Sequence, residues 1–487
     1  MYVGIDLGTS AVKLLLVTGD GAIVRTVSKT YDSLFPHPSW SEQDPNDWLN
    51  ATVAGLRDLV LGHEADVQAM SFSGQMHGLV LLDGNDAVLR NAILWNDQRT
   101  KDQVDDLNEG IGMATLQELT GNIALTGLTA PKLLWVREHE PAIFGRIRKI
   151  MLPKDYLLYK LSGTFASDVS DSSGTLYFDP RTKRYSEELL AILGIRKDQL
   201  PAICESFETV GTLQDPYRSI LGLSSRVKII AGGGDQAVGA IGAGIVKDGE
   251  CSISLGTSGV VFVAGDHFVV DTKSHLQSYA HANGKYHVMG VMLNAAGAVR
   301  WWWEAVHGNH DYEAFYRDVT AAPASESLFF LPYLMGERAP INDPDAKGVF
   351  LGIQAHHGMK EFNRAVVEGV TFALRDSLEL IRNLGITIRH VRITGGGAKS
   401  DVWAQMIADV MDVEVAKLAY EEGPAFGAAI LAMVGSGVYP SVASACDRLV
   451  ATDRIFVPNR AMSTLYHDKY LMFSRIYPQL KGLFKVI

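Results

Sequence analysis

The chain has 487 residues, 47% of them hydrophobic and 20% charged, which is too long for one ordinary core and too apolar for a disordered or fibrous chain; two large domains are expected. A net charge of −11 leaves no surplus of Lys and Arg to displace counterions, which argues against a nucleic-acid partner and leaves any phosphate ligand to backbone donors and a metal ion. Cys204, Cys251 and Cys446 form neither a disulfide framework nor a zinc spacing, and the N-terminus lacks a signal-peptide pattern, so a soluble cytoplasmic protein without a membrane partner is expected.

Residues 2–7 alternate Val3, Ile5 and Leu7 against Gly4 and Asp6, and a second apolar run covers 12–17, which predicts a hairpin bent at Gly8-Thr9-Ser10. The bend offers the Thr9 and Ser10 hydroxyls and backbone N–H groups to an anion, beside Asp6, an acid suited to a divalent cation; the same letters also make an ordinary turn. Farther on, Gly74-Gln75-Met76-His77-Gly78 separates two strand-like runs. Gln75 and His77 could hydrogen-bond a polyol there while Met76 packs on its carbon face, with a satisfied loop as the plainer alternative. Trp95-Asn96-Asp97-Gln98-Arg99 adds polar groups at a strand end. The run 129–141, with Pro131 and Pro141, reads as a scaffold helix, and the Ser-, Asp- and Gly-rich stretch 163–179 as a polar loop region.

Next, Ile229-Ile230-Ala231-Gly232-Gly233-Gly234-Asp235 reads as a strand that ends in a glycine bend and presents Asp235 where a helix begins. Asp235 is either a catalytic base or the cap of that helix. The tetrapeptide Leu7-Gly8-Thr9-Ser10 then recurs as Leu255-Gly256-Thr257-Ser258, again between apolar runs, which predicts an internally duplicated protein with one hairpin from each half facing a shared cleft. Trp301-Trp302-Trp303 reads as core packing or a domain contact rather than base stacking. Residues 336–348 form an excursion with no readable purpose. His390-Val391-Arg392-Ile393-Thr394 is a strand, Gly395-Gly396-Gly397-Ala398 a tight turn, and Ser400 or Asp401 the cap of a helix running to about Met411, whose start could hold a nucleotide. His139, His356 and His357 lack partners at metal-ligand spacing and read as ordinary histidines. Residues 425–439 are too short for a membrane span and read as a buried helix, and 466–484 as a closing amphipathic helix.

These stretches together resemble the FGGY carbohydrate kinases of the actin, Hsp70 and sugar kinase superfamily. The resemblance rests on Gly4-Ile5-Asp6-Leu7-Gly8-Thr9-Ser10, the turn at 74–78, the helix through Lys132 to Trp135, Asp235 after its glycines, and residues 254–259. Residues 348–352, 395–398 and 423–429 extend it over nearly the whole chain. It implies an α/β protein of two actin-like (ribonuclease H-like) ATPase domains, 1–245 and 246–487, with ATP and a sugar in the cleft between them. It also implies that Asp235 is the base for a sugar hydroxyl and that Asp6 helps place Mg²⁺, through water. Thr9 and Ser10, with Gly256, Thr257 and Ser258, would hold phosphates. Gly297, Gly396, Gly397 and Ala398 would lie near the nucleoside. Met76 and His77 match the family's ketopentose contacts, with Gln75 beside them, so ATP-dependent phosphorylation of a ketopentose, D-xylulose first, is expected. Another ketose or polyol such as ribulose or glycerol, and a non-catalytic actin-like switch, are the alternatives, and a homodimer is left open. Gln236 stands where some members have Asn, and Gln98 where they often have Gly.

Overall fold

The two Gly-Thr-Ser bends lie at the tips of two hairpins, and each hairpin sits inside a seven-stranded mixed sheet. The computed structural model describes residues 1–273, 275–420 and 422–487. Strands β1 (Tyr2–Leu7), β2 (Ala11–Val17), β3 (Ile23–Thr30), β4 (Ala69–Gly74), β5 (Thr209–Thr212) and β6 (Lys228–Ile230) follow the order β5-β6-β4-β1-β2-β3, and Gly233–Gly234 adds a last pair to β4. The second sheet uses β7 (Glu250–Leu255), β8 (Gly259–Gly265), β9 (Gln277–Ala280), β10 (Tyr286–Met292), β11 (His390–Thr394), β12 (Val415–Leu418) and β13 (Thr452–Phe456), in the order β9-β10-β8-β7-β11-β12-β13. Strand β1 is antiparallel to β2 and parallel to β4, as β7 is antiparallel to β8 and parallel to β11. The repeated tetrapeptide therefore marks a repeated sheet. Strands β1, β2 and β8 are mostly apolar and buried, as in a sheet packed on both faces.

Six helices matter for the site: α1 (Thr129–His139), α2 (Asp235–Gly242), α3 (Met359–Asn383), α4 (Asp401–Met411), α5 (Gly423–Gly435) and α6 (Arg460–Phe484). Helix α3, which the sequence reading passed over, spans 25 residues and packs Val366, Val370 and Leu374 into the core of the second half. Trp403 of α4 is fully buried there, its indole N–H donating to Thr371 Oγ1 at 3.0 Å. Trp302 and Trp303 join this core, while Trp301 stays at the surface, stacked on Phe330. Helix α6 begins earlier than the apolar pattern suggested, because the Asn459 carboxamide oxygen accepts from the N–H groups of Ala461 and Met462 and caps it there.

Helix α5 is buried nearly all round, as its composition predicts, yet it does not stay with the sheet that precedes it. It lies across β1 and β4 of the first sheet and against α2. Only glycine permits the approach. A Cβ on Gly427 would stand 1.9 Å from the Val238 carbonyl oxygen, one on Gly242 2.2 Å from the Gly423 carbonyl, and one on Gly4 1.9 Å from the Ala425 carbonyl. Backbone on both sides leaves nothing flexible to yield. Gly427→Ala should therefore destabilise the protein by about 3 kcal/mol or more, or prevent folding. Gly482→Ala, in α6 with open space around it, should be neutral or stabilising by up to about 1 kcal/mol. Urea unfolding of both variants measures the contrast.

Candidate active site

Three features converge between the two sheets: the start of α2, a cavity at the ends of β7 and β11, and the turn after β4. Strand pairing of Gly233–Gly234 with β4 carries the chain to Asp235, the first residue of α2. The cap position belongs to Gly234, which has no side chain to cap the helix, and Asp235 is the first helical residue. Asp235 therefore does not occupy the N-cap position that the capping alternative requires. Its Oδ1 instead accepts from Gln236 Nε2 at 3.3 Å. Asp235 lines a cavity of about 310 Å³ together with Ser254, Phe262, Thr394 and Gly395. Burial first, and the charge of Asp6 second, push its carboxyl up to about 7.

Asp6, on β1, is half-buried and faces Lys13 on β2 and Ser73 on β4 in the strand registers. Burial raises its carboxyl to about 6 against the opposing influence of Ser73 and Lys13, and its Oδ1 is buried without a hydrogen-bond partner. Two mutually repelling carboxylates, one with an orphaned oxygen, fit a hard divalent cation or its bound water. At the first bend, Trp95 Nε1 donates to Thr9 Oγ1 at 3.0 Å, and Gln43 Nε2 donates to the Thr9 carbonyl at 2.6 Å; Ser10 is exposed. Thr257 and Ser258 are exposed at the second bend, where the Thr257 carbonyl accepts from the N–H groups of Ala295 and Gly297.

The second bend also walls a larger cavity of about 720 Å³, with Gly256, Thr257, Gly297, Gly396 and Gly397 on one side and Val299, Tyr312 and Tyr316 on another. Ser400 caps α4 at its edge, its Oγ accepting from Trp403 N, so the positive end of a helix opens into the space. Ala398 differs from expectation: it is fully buried in the core and does not line the cavity, because the turn points its side chain inward. The two cavities meet where β7 and β11 end, at Ser254-Leu255-Gly256 and Thr394-Gly395-Gly396.

The turn after β4 holds Gln75, Met76 and His77. His77 adopts φ 68°, and its Nδ1 lies 2.8 Å from the Gly174 carbonyl, so Nδ1–H donates and Nε2 is left as an acceptor. Burial, reinforced by the Lys132 ammonium, lowers His77 to about 3, so the imidazole is neutral at any physiological pH. Met76 is buried and fills the space under Gly234, where a Cβ would come within 2.9 Å of its sulfur, tying this turn to the start of α2. Gln75 is buried and bonded to Gln43 Oε1 at 3.1 Å, which puts it behind the turn, on the side of the Thr9 bend.

Several supporting residues escaped the sequence reading. Lys132 of the scaffold helix α1 is fully buried and donates to the carbonyls of His77 and Gly127 at 2.8 and 2.6 Å. The stretch read as polar loop folds into two short strands and two short helices, and its Gly174 leaves no room for a Cβ beside the His77 ring. Beneath it, Lys154 sits among Asp155 and Asp168, all buried. Gln98 is held on the surface by Thr126. His356 and His357 do meet a partner, Glu326, close enough for a metal set. However, the Gln354 N–H donates to His357 Nδ1, so Nε2 carries the proton and faces the carboxylate at 3.1 Å; the group is a hydrogen-bonded cluster.

The carboxyl pair makes a stability prediction for the ligand-free protein. Both Asp6 and Asp235 bind a proton more tightly folded than unfolded, so their contribution is full below about 4 and lost as pH rises through about 6 and about 7. The urea midpoint should fall over that window, and fall less in Asp235→Asn. Equal slopes in the two proteins would refute the assignment.

Residues 1–242 match the N-terminal domain of the FGGY family of carbohydrate kinases, and residues 251–436 match its C-terminal domain. The chain is 40% identical to a xylulose kinase of Staphylococcus epidermidis, covering 99% of this chain and 97% of the relative. It is 39% identical to a xylulose kinase of Escherichia coli over 99% of this chain and 100% of the relative. A solved ligand-bound xylulose kinase of Lactobacillus acidophilus superposes with a TM-score of 0.95 at 28% identity, over 99% of each chain. The duplicated sheets, the paired cavities and these full-length matches agree: the chain belongs to the FGGY family of carbohydrate kinases.

Proposed function

We propose that the enzyme transfers the γ-phosphoryl group of ATP to the terminal hydroxyl of D-xylulose, giving D-xylulose 5-phosphate and ADP in the cytoplasm. The observation that carries this reading is the single carboxylate, Asp235, on the wall of the cavity that adjoins the nucleoside-sized one, with the Met76–His77 turn packed against its helix start. Phosphoryl transfer asks mainly for positioning and charge stabilisation. The nucleoside occupies the larger cavity and its phosphates run past Gly256 and Thr257 toward Thr9. The sugar lies by the turn, where neutral His77 accepts a hydrogen bond from a sugar hydroxyl at Nε2 and Met76 packs on the carbon face. As the sugar oxygen bonds to phosphorus and the bond to ADP breaks, Asp235 takes the hydroxyl proton; a carboxyl near pH 7 is matched to that task. Asp6 is the residue suited to hold Mg²⁺ through water, and the ion would neutralise phosphate charge when bound.

Asp235→Ala should lower kcat by about 10²- to 10⁴-fold, with the KM for ATP nearly unchanged. Sugar-dependent ADP release within about tenfold of the parent would remove Asp235 as the base. Across D-xylulose, ribulose, glycerol and gluconate, D-xylulose should give the highest kcat/KM. Nucleotide binding with no sugar-stimulated turnover would identify an ATP-binding switch instead.

A further inference from the structure

The first half supplies every sugar contact considered so far, yet a buried polar group of the second half faces the same turn. Tyr279, on the edge strand β9, is fully buried and its hydroxyl has no hydrogen-bond partner. A buried phenol ordinarily finds a partner, because leaving it dry costs roughly 1–3 kcal/mol. The position of the ring explains what could compensate. Tyr279 pairs with His287 on β10, and His287 pairs with Ala264 on β8, so their side chains share one face of the sheet. Phe262 lies on that face, stacked on His287 with ring centroids 4.2 Å apart, and it lines the cavity that holds Asp235. Tyr279 lies farther along the same sheet face and meets the turn: it shares an apolar cluster with Met76, and its ring centroid is 6.4 Å from that of His77.

The placement is held from the first half. Ser278 and Asn122 exchange two hydrogen bonds, Ser278 N to Asn122 Oδ1 at 3.0 Å and Asn122 Nδ2 to the Ser278 carbonyl at 2.9 Å. Ala280 N donates to Ser173 Oγ at 3.1 Å. The edge of β9 is thus clamped on both sides of Tyr279, by Asn122 on one side and on the other by Ser173, the neighbour of the Gly174 that bonds His77. Arg338 stands beside it, half-buried, with no hydrogen bond or close ion pair from its guanidinium among the described residues, and its charge acts on both Tyr279 and His77.

We propose that Tyr279 is a substrate-contacting, specificity-determining residue, whose phenol hydroxyl hydrogen-bonds a hydroxyl or carbonyl of a neutral sugar held against His77, with Arg338 as a neighbouring donor. The sugar site is then built from both halves, and binding the sugar couples them. The proposal rests on the reading of the Met76–His77 turn as the sugar site.

Tyr279→Phe tests it, because the hydroxyl has no protein partner to lose. The ligand-free variant should melt at or above the parent temperature. Its KM for D-xylulose should rise about five- to twentyfold, its KM for ATP should stay within about twofold, and its thermal shift on adding D-xylulose should shrink. Of the monodeoxy analogues of the sugar, one should bind the parent weakly and yet bind parent and variant alike, which identifies the hydroxyl that Tyr279 meets. An unchanged KM for D-xylulose in the variant would overturn the proposal, as would a lower melting temperature with KM values for ATP and sugar rising together. Failure of the parent enzyme to phosphorylate any sugar would instead overturn the kinase reading itself. Arg338→Met should raise the sugar KM alone in the same way, and no change there would remove Arg338 from the contact.

Discussion

The close backbone contact among α2, α5 and β1 is the constraint on which the rest depends. Helix α5 comes from the second half of the chain but lies on the first sheet, at a distance that only Gly4, Gly242 and Gly427 allow. One end of α2 is fixed by this packing and the other end is Asp235. A methyl group at the crossing would therefore displace the carboxylate relative to both cavities, because close-packed backbone transmits a shift rather than absorbing it. Connection between the halves is not a flexible tether: it runs through a dry core cluster in which Ala237, Val238 and Ile241 of α2 meet Ala425, Ala428 and Ala429 of α5.

On that frame the electrostatics follow a simple division. Burial raises the acidic groups in the cleft, Asp6 to about 6 and Asp235, with the charge of Asp6 added, to about 7, while burial lowers His77 to about 3 and keeps it neutral. A positive charge brought close to the carboxylates, whether a cation or an ammonium, would favour their ionised forms. The imidazole, with its Nδ1–H committed to Gly174, has one role left to offer, that of acceptor. The cleft thus offers a carboxyl that can exchange a proton near pH 7 and an imidazole that can only accept a hydrogen bond, a difference set by environment rather than by residue type.

Local chemistry was legible in the sequence, and assembly was not. The two Leu-Gly-Thr-Ser bends could be read because turn geometry is encoded within a few residues, and their recurrence announced the duplicated sheets. Asp235 could be read as the start of a helix, but whether it capped that helix depended on Gly234 taking the cap position. Gln75 was expected at the sugar and lies behind the turn on Gln43, because the direction of a side chain at a turn is set by its neighbours and not by its own letters. Ala398 was expected at the nucleoside and points into the core for the same reason. Gly174, Lys132, Tyr279 and Glu326 act on residues tens to hundreds of positions away, and no periodicity reports such a pairing. The stretch 163–179 shows the limit most clearly: its Ser, Asp and Gly content reads as a solvated loop, yet it is folded and largely buried beneath the His77 turn, where its polar groups bond each other, Lys154 and the second half.

That burial of polar groups is costly, and part of the cost falls on the cleft. Asp6 Oδ1, both Asp171 oxygens and the Tyr279 hydroxyl are buried with no protein hydrogen-bond partner. Asp171, close enough to Asp235 to feel its charge, is pushed well above the ordinary carboxyl range by burial first. A core made for stability alone would replace such atoms with carbon. A group left unpaired in the free protein contributes its hydrogen bond wholly to whatever bound state supplies a partner. Closely packed glycines hold these atoms in position beforehand, so little ordering remains to be done when sugar and nucleotide enter. The packing constraint and the unsatisfied cleft are two aspects of one arrangement: the backbone contact supplies the stability and rigidity that the site gives up.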